Sequence, residues 1–151
     1  MLRQRLNDDL KTAMKARDQE TTSTLRMVLA GLKDRDIAAR PSGNTTGIDE
    51  AGIIDMLQKM VKQRKESIEL YKQGNRQELV DKEQAEINVI ERYMPQQLSE
   101  AEASAAVDKV IAELGASSIK DMGKVMAALK ERFSGQLDFA KAGGLVKQKL
   151  G

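Results

Sequence analysis

The chain has 151 residues, 25 Lys+Arg against 23 Asp+Glu for a net charge of +2, and 40% hydrophobic residues, with aromatics limited to two Tyr and two Phe. It contains no cysteine and no histidine, which excludes disulfides, thiolate chemistry, imidazole general bases, Ser-His-Asp triads and His-ligated zinc. Its length suits one or two small domains, and strong helix formers dominate the composition.

Leu2, Leu6, Leu10, Ala13 and Met14 recur at helical spacing and predict a first helix that stops near Arg17. Asp18 is placed to cap a second helix with the apolar stripe Leu25, Val28, Leu29 and Leu32. That helix fades in Arg40-Pro41-Ser42-Gly43-Asn44-Thr45-Thr46-Gly47, the clearest loop in the sequence. Asp49 caps a third helix carrying Ile53, Ile54, Leu57, Met60, Val61, Ile68 and Tyr71 on one face. Gly74 is its natural stop, entering the left-handed region without a Cβ penalty. Asn75 with Glu78 has capping-box spacing for a fourth helix, whose core positions are Leu79, Val80, Ile87, Ile90 and Met94. Pro95 disfavours helical geometry at Met94 and ends that run.

A second helical set follows. Ser99 and Glu102 form a capping-box pattern opening a helix through Leu114, with Gly115 as its stop. Ser118 with Asp121 opens the next, which carries Ile119, Met122, Val125, Met126, Leu129 and Phe133 and ends at Gly135. Asp138 caps the last, with Phe139, Ala142, Leu145, Val146 and Leu150 on one face. No segment has strand periodicity. The expected fold is therefore all-α: an N-terminal helical hairpin domain of about four helices over 1–94, then a small C-terminal three-helix bundle over 95–151.

Each part carries a net charge of +1, with no basic or acidic tail, so composition makes no case for strong nucleic-acid binding and leaves only a local patch. Met1-Leu2-Arg3-Gln4-Arg5 lacks the apolar core of a secretory signal, and no apolar run reaches the length of a membrane span. The expectation is a cytoplasmic protein with no membrane partner.

Two charged residues fall on apolar faces. At about 100° per residue, Arg64 lies amid Leu57, Val61, Ile68 and Tyr71, and Glu83 lies amid Leu79, Ile87 and Ile90. A turn at Gly74-Asn75 brings the two helices antiparallel with Arg64 and Glu83 at matching heights. We expect a partly buried Arg64–Glu83 ion pair, with Glu86 the second choice of partner, because a lone buried charge costs several kcal/mol. The pair reads as a register-fixing salt bridge or as a contact for a ligand or partner. No second titratable group makes a catalytic dyad with it, so no catalytic residue is assigned.

Two surface patches are candidates for RNA or partner contact. Lys120 and Lys124 project opposite the core positions Met122, Val125 and Met126, and Gly123 between them would let a phosphate approach closely. Lys59, Lys62 and Lys65 line the outward face of the third helix, diluted by Glu66 and Glu69, and also read as an ordinary solvated surface. Gly143-Gly144 inside the last helix costs about 1 kcal/mol per glycine relative to Ala, for which close helix approach or a binding notch would be the reason. Neither patch interleaves aromatics for base stacking, so any RNA contact should be backbone-directed and salt-sensitive.

Gln63-Arg64-Lys65-Glu66-Ser67, Tyr71 with Gly74, Glu83, Glu86, Tyr93-Met94-Pro95-Gln96-Gln97-Leu98-Ser99 and Met122-Gly123-Lys124-Val125-Met126 occur in an order and spacing that resembles the YqeY-like proteins of the GatB/YqeY family. The resemblance runs over essentially the whole length. That family is similar to the tail of the GatB component of the tRNA-dependent amidotransferase, an enzyme that amidates Glu or Asp mischarged on tRNA using glutamine and ATP. The resemblance implies a helical, two-part architecture and a contact with tRNA or with tRNA-charging or amidotransferase proteins, with no DNA role. The kinase-like body of GatB has no counterpart here, and no glycine-rich phosphate loop, cofactor site or metal site is recognised. The leading expectation is an accessory protein without autonomous catalysis. Two alternatives stay open: a subunit or domain associated with carbon–nitrogen ligase activity using glutamine as amido donor, and a protein–protein module with no RNA role. Sequence leaves the oligomeric state open.

Overall fold

A computed structural model describes residues 1–151 and is all-helical. Seven α-helices follow in order: α1 (Leu2–Lys15), α2 (Gln19–Ala39), α3 (Glu50–Gln73), α4 (Gln77–Glu91), α5 (Glu100–Leu114), α6 (Met122–Arg132) and α7 (Phe139–Leu150). Short 3₁₀ turns follow α2 (Arg40–Ser42) and precede α6 (Ile119–Asp121). The backbone contacts cluster into two compact units, Met1–Met94 and Pro95–Gly151.

In the first unit α3 packs along α4, α1 along α2, and α2 also meets α4 and α3. The shared core is Leu6, Leu25, Val28, Leu57, Ile87 and Ile90, each at most 1% exposed. Burying one such side chain contributes about 1.5–3 kcal/mol. Helix boundaries follow local chemistry. Asp18 Oδ1 accepts from the Thr21 amide at 3.1 Å and starts α2, and Asp49 Oδ1 accepts from the Gly52 amide at 2.9 Å and starts α3. The end of α3 departs from expectation. Gly74 keeps a negative φ, and Asn75 takes the left-handed position at φ 55°. The Arg76 amide donates to Tyr71 O and the Asn75 amide to Lys72 O, so the two close a Schellman motif. Asn75 is thereby consumed in ending α3. Arg76 becomes the N-cap of α4, without a side-chain cap, and its guanidinium pairs with Glu78 at 2.6 Å in place of an Asn75–Glu78 box. Arg17, at φ 57°, closes α1 the same way, with the Asp18 amide donating to Ala13 O.

The loop before α3 is tied down by Arg3. Its guanidinium grips the Asp36 carboxylate at 2.7 and 3.0 Å and donates to Ile48 O, while the Ile48 amide donates back to Asp36. Gly47 sits at φ +103°, and a Cβ there would come within 2.7 Å of Arg3 Nη2, so the position tolerates no side chain without displacing the clamp.

In the second unit α5, α6 and α7 each meet the other two around Val107, Val110, Val125, Leu129, Ala142 and Val146. Ser99 and Glu102 form a reciprocal capping box at the start of α5, and Gly115 ends it at φ 63°. Ser118 and Asp121 also close a box, but it opens the 3₁₀ turn, and α6 proper begins one turn later at Met122. The Leu98 amide donates to Gln136 O at 3.0 Å, and the Gln97 side-chain amide donates to Gly135 O. The segment entering α5 is thus fastened to the α6–α7 connection.

Candidate functional site

Arg64 is 13% exposed on α3 and faces Glu83 and Glu86 of α4, at 20% and 19%. The closer partner is Glu86, with Nε to Oε2 at 2.9 Å, while Glu83 lies at 3.9 Å. The order of partners is the reverse of that expected from sequence. Residues 83 and 86 lie one turn apart on the same face, and periodicity fixes the face without fixing which turn the long Arg64 side chain reaches. The guanidinium also donates to Met60 O at 2.9 Å and lies against Met27. With its donors satisfied inside the α2–α3–α4 packing, this cluster has the geometry of a register clamp.

Lys59, Lys62 and Lys65 are all exposed on α3. Lys59 is held by Asp55 at 3.1 Å, and Asp55 is shared with Arg35 at 3.1 Å. Only Lys62 and Lys65 of this patch therefore lack an ion-pair partner, and Glu66 and Glu69 are exposed beside them.

Lys120, Gly123 and Lys124 are all exposed, Lys120 in the 3₁₀ turn and the others in the first turn of α6. Nothing lies within 4 Å of a Cβ built on Gly123 or Gly144, and one on Gly143 would touch only Met122 and Met126 at 3.8 and 3.9 Å. Packing therefore requires a glycine at none of the three, and close helix approach does not account for Gly143-Gly144. We expect Gly144→Ala to stabilise the protein by about 0.5–1 kcal/mol, read from the denaturant midpoint followed by helical circular dichroism. Loss of stability would show that the α7 backbone needs glycine there.

The charges of the second unit are segregated by helix. Helix α5 holds Glu100, Glu102, Asp108 and Glu113 against Lys109. Helices α6 and α7 hold Lys124, Lys130, Arg132, Lys141, Lys147 and Lys149 against Glu131. Arg132 pairs with Glu113 and Lys149 with Asp108, but Lys120, Lys124, Lys130, Lys141 and Lys147 form no ion pair.

The first unit also holds a cleft of about 290 Å³ that no sequence pattern announces. Arg5 and Asp9 reach it from α1, Asp18 from the start of α2, and Arg92 and Tyr93 from the turn just after α4. Tyr93 is 5% exposed and donates its hydroxyl to Asp9 Oδ2 at 2.6 Å. Burial, with Asp9 as acceptor and neighbouring charge, pushes its pKa well up, against the opposing charges of Arg5 and Arg92. Arg5 lies over the Tyr93 ring at 5.0 Å and donates to Arg92 O at 3.4 Å. Hydrogen bonds from the Thr21 hydroxyl and amide, aided by the Arg92 charge, hold the Asp18 carboxyl below its ordinary range. Tyr93 was legible only as part of a motif, and no local signal links Asp9 to a residue 84 positions away.

No helix is long and apolar enough to cross a membrane, and no group of three or more acidic side chains is placed to hold a metal ion. Fold and surface together define an all-helical protein whose exposed charge is concentrated on particular helices. The family described as Yqey-like protein matches residues 3–150, and the chain belongs to that family. Similar curated proteins share one name, "Altered inheritance of mitochondria protein 41, mitochondrial". That of Lachancea thermotolerans is 38% identical over 75% of this chain and 59% of its own length. Those of Saccharomyces cerevisiae and Eremothecium gossypii are 37% and 38% identical over 60% and 59% of this chain, and 47% and 46% of their own lengths. The chain thus spans about half the length of these relatives. The mitochondrial location carried in the relatives' name overturns the cytoplasmic expectation. That expectation rested on the lack of a secretory core and of a membrane span, neither of which separates the cytosol from a mitochondrial compartment.

Proposed function

We propose that this protein is an accessory factor that contacts tRNA, or a tRNA-charging or amidotransferase complex, through helix surfaces and without catalysis of its own. It would do so with an N-terminal domain, residues 1–94, built on the α3–α4 hairpin and a C-terminal three-helix bundle, residues 95–151. Membership of the family, with its likeness to the amidotransferase tail, supplies the class of partner. The observation that carries the reading is the set of unpaired lysines on α6, α7 and the preceding turn, two of which, Lys120 and Lys124, flank the open backbone at Gly123 in the chain. A phosphate backbone gains from such lysines by releasing counterions, and a Cβ-free position lets it approach the helix.

The test is titration of the full chain with tRNA at low and at moderate salt. The double variant Lys120→Glu with Lys124→Glu is expected to weaken binding about tenfold or more at low salt and to flatten the salt dependence. Lack of any binding by the native chain at low salt would overturn the reading. Gly123→Ala should raise stability by about 0.5–1 kcal/mol while weakening tRNA binding, a split that a purely structural glycine would not give.

A protein–protein role has one specific observation in its favour. Leu114 and Ile119, at 44% and 48% exposed, flank the α5–α6 connection next to Lys120. A protein partner retained after nuclease treatment and lost on Ile119→Glu would favour that role.

A further inference from the structure

The cleft at Arg5, Asp9, Asp18, Arg92 and Tyr93 has no part in the proposed RNA contact and carries its own chemistry. Two guanidiniums reach it, and neither Arg5 nor Arg92 has a carboxylate partner in an ion pair. Two carboxylates reach it as well. Asp18 is engaged with Thr21, and Asp9 spends one oxygen on Tyr93. The buried Tyr93 forms one wall, its hydroxyl holds the Asp9 carboxylate in place, and Arg5 rests on its ring.

We propose that this cleft binds a small zwitterion, a free α-amino acid with a short side chain, taking its carboxylate on Arg92 and Arg5 and its ammonium on Asp9. The four charged side chains sum to zero, and no ion pair joins any two of them. A ligand of single sign therefore meets a like charge beside its opposite one, and a zwitterion meets opposite charge at both ends. Planar guanidiniums suit a carboxylate through paired N–H donors. The volume, about 290 Å³, lies at the small end of the usual range of roughly 300–1,000 Å³ and suits a ligand of a few heavy atoms. Ala13 and Ala16 give a short side chain an apolar surface, beside the hydroxyl-bearing Thr12 and Thr21, whose hydroxyl hydrogens are already given to Asp8 O and to Asp18.

Amide chemical shifts of the full chain, titrated separately with L-alanine, acetate, methylammonium and inorganic phosphate, test this. L-alanine is expected to give saturable shifts confined to Arg5–Thr21 and Arg92–Tyr93, with acetate and methylammonium about tenfold or more weaker. Arg92→Gln, at an exposed residue, should cost L-alanine about tenfold or more without lowering the melting temperature. Asp9→Asn retains an acceptor for Tyr93 and should likewise weaken L-alanine while strengthening acetate, which no longer meets that like charge. No saturable shift with L-alanine up to tens of millimolar, acetate binding as tightly as L-alanine, or phosphate binding more tightly than either would each overturn the proposal. None of these outcomes bears on tRNA binding, which is read in a separate titration.

Discussion

Arg64→Leu is expected to destabilise the first unit by about 2–4 kcal/mol. The change leaves the Glu83 and Glu86 carboxylates, only 20% and 19% exposed, facing each other across one helical turn with no cation between them. The figure sits below that for a fully buried orphan charge because about a fifth of each side chain still meets water. Both tyrosines lie in residues 1–94 and there is no tryptophan, so tyrosine fluorescence reports on the unfolding of this unit alone. Glu86→Leu should be costly too, since Arg64 would keep only Glu83 at 3.9 Å. Combining the two removes both members of the shorter contact and should recover a large part of the loss, leaving a coupling energy of more than about 1 kcal/mol. Losses that simply add would show that the pair does not act as a unit.

The second large effect is expected at Tyr93. Tyr93→Phe removes a 2.6 Å hydrogen bond to a carboxylate and leaves Asp9 without that donor, a loss of about 1.5–3 kcal/mol. Asp9→Asn keeps an acceptor and should cost less. The pH dependence follows from the raised pKa of the buried phenol. The native state holds the proton more tightly than the unfolded chain, whose tyrosine titrates near 10. The stabilisation is therefore complete below about pH 10 and is lost as pH climbs from there through the raised native value. The stability difference between the native protein and Tyr93→Phe, followed by helical circular dichroism, should be constant from neutral pH to about 9 and shrink beyond 10. A difference that stays level into strong alkali would mean that the phenol is not held protonated by this contact.

These two sites separate what the chain reveals locally from what it does not. Helix starts were legible wherever an acidic or hydroxyl side chain could reach an amide two or three residues on, as at Asp18, Asp49, Ser99 and Asp138. The same reasoning failed at Asn75, because two local motifs competed for one residue. A left-handed Asn75 completes the α3 terminus with two backbone hydrogen bonds, so Gly74 stays right-handed and the box with Glu78 is forgone. Around Arg64, the 3.6-residue period identified which faces carry charge. It could not rank Glu86 above Glu83, since that depends on how far α3 is shifted along α4 and on where Met60 O and Met27 draw the guanidinium.

The cleft was not legible at all. Arg5, Asp9, Asp18 and Arg92 each look like solvated residues, and the segment after α4 must come against α1 before the Tyr93 hydroxyl can reach Asp9. The basic character of α6 and α7 was hidden for a different reason. Composition averages over the second unit, and the acidic α5 cancels the lysines that folding holds on separate helices.

By itself the sequence determined that the protein is all-helical, where most of its helices begin and end, and which faces turn inward, because caps and apolar periodicity act over a few residues. Tertiary structure alone decided the partner of Arg64, the environment of Tyr93 and the meeting of two arginines with two aspartates. Those outcomes depend on the relative placement of helices distant in sequence, which is set by how their side chains interdigitate.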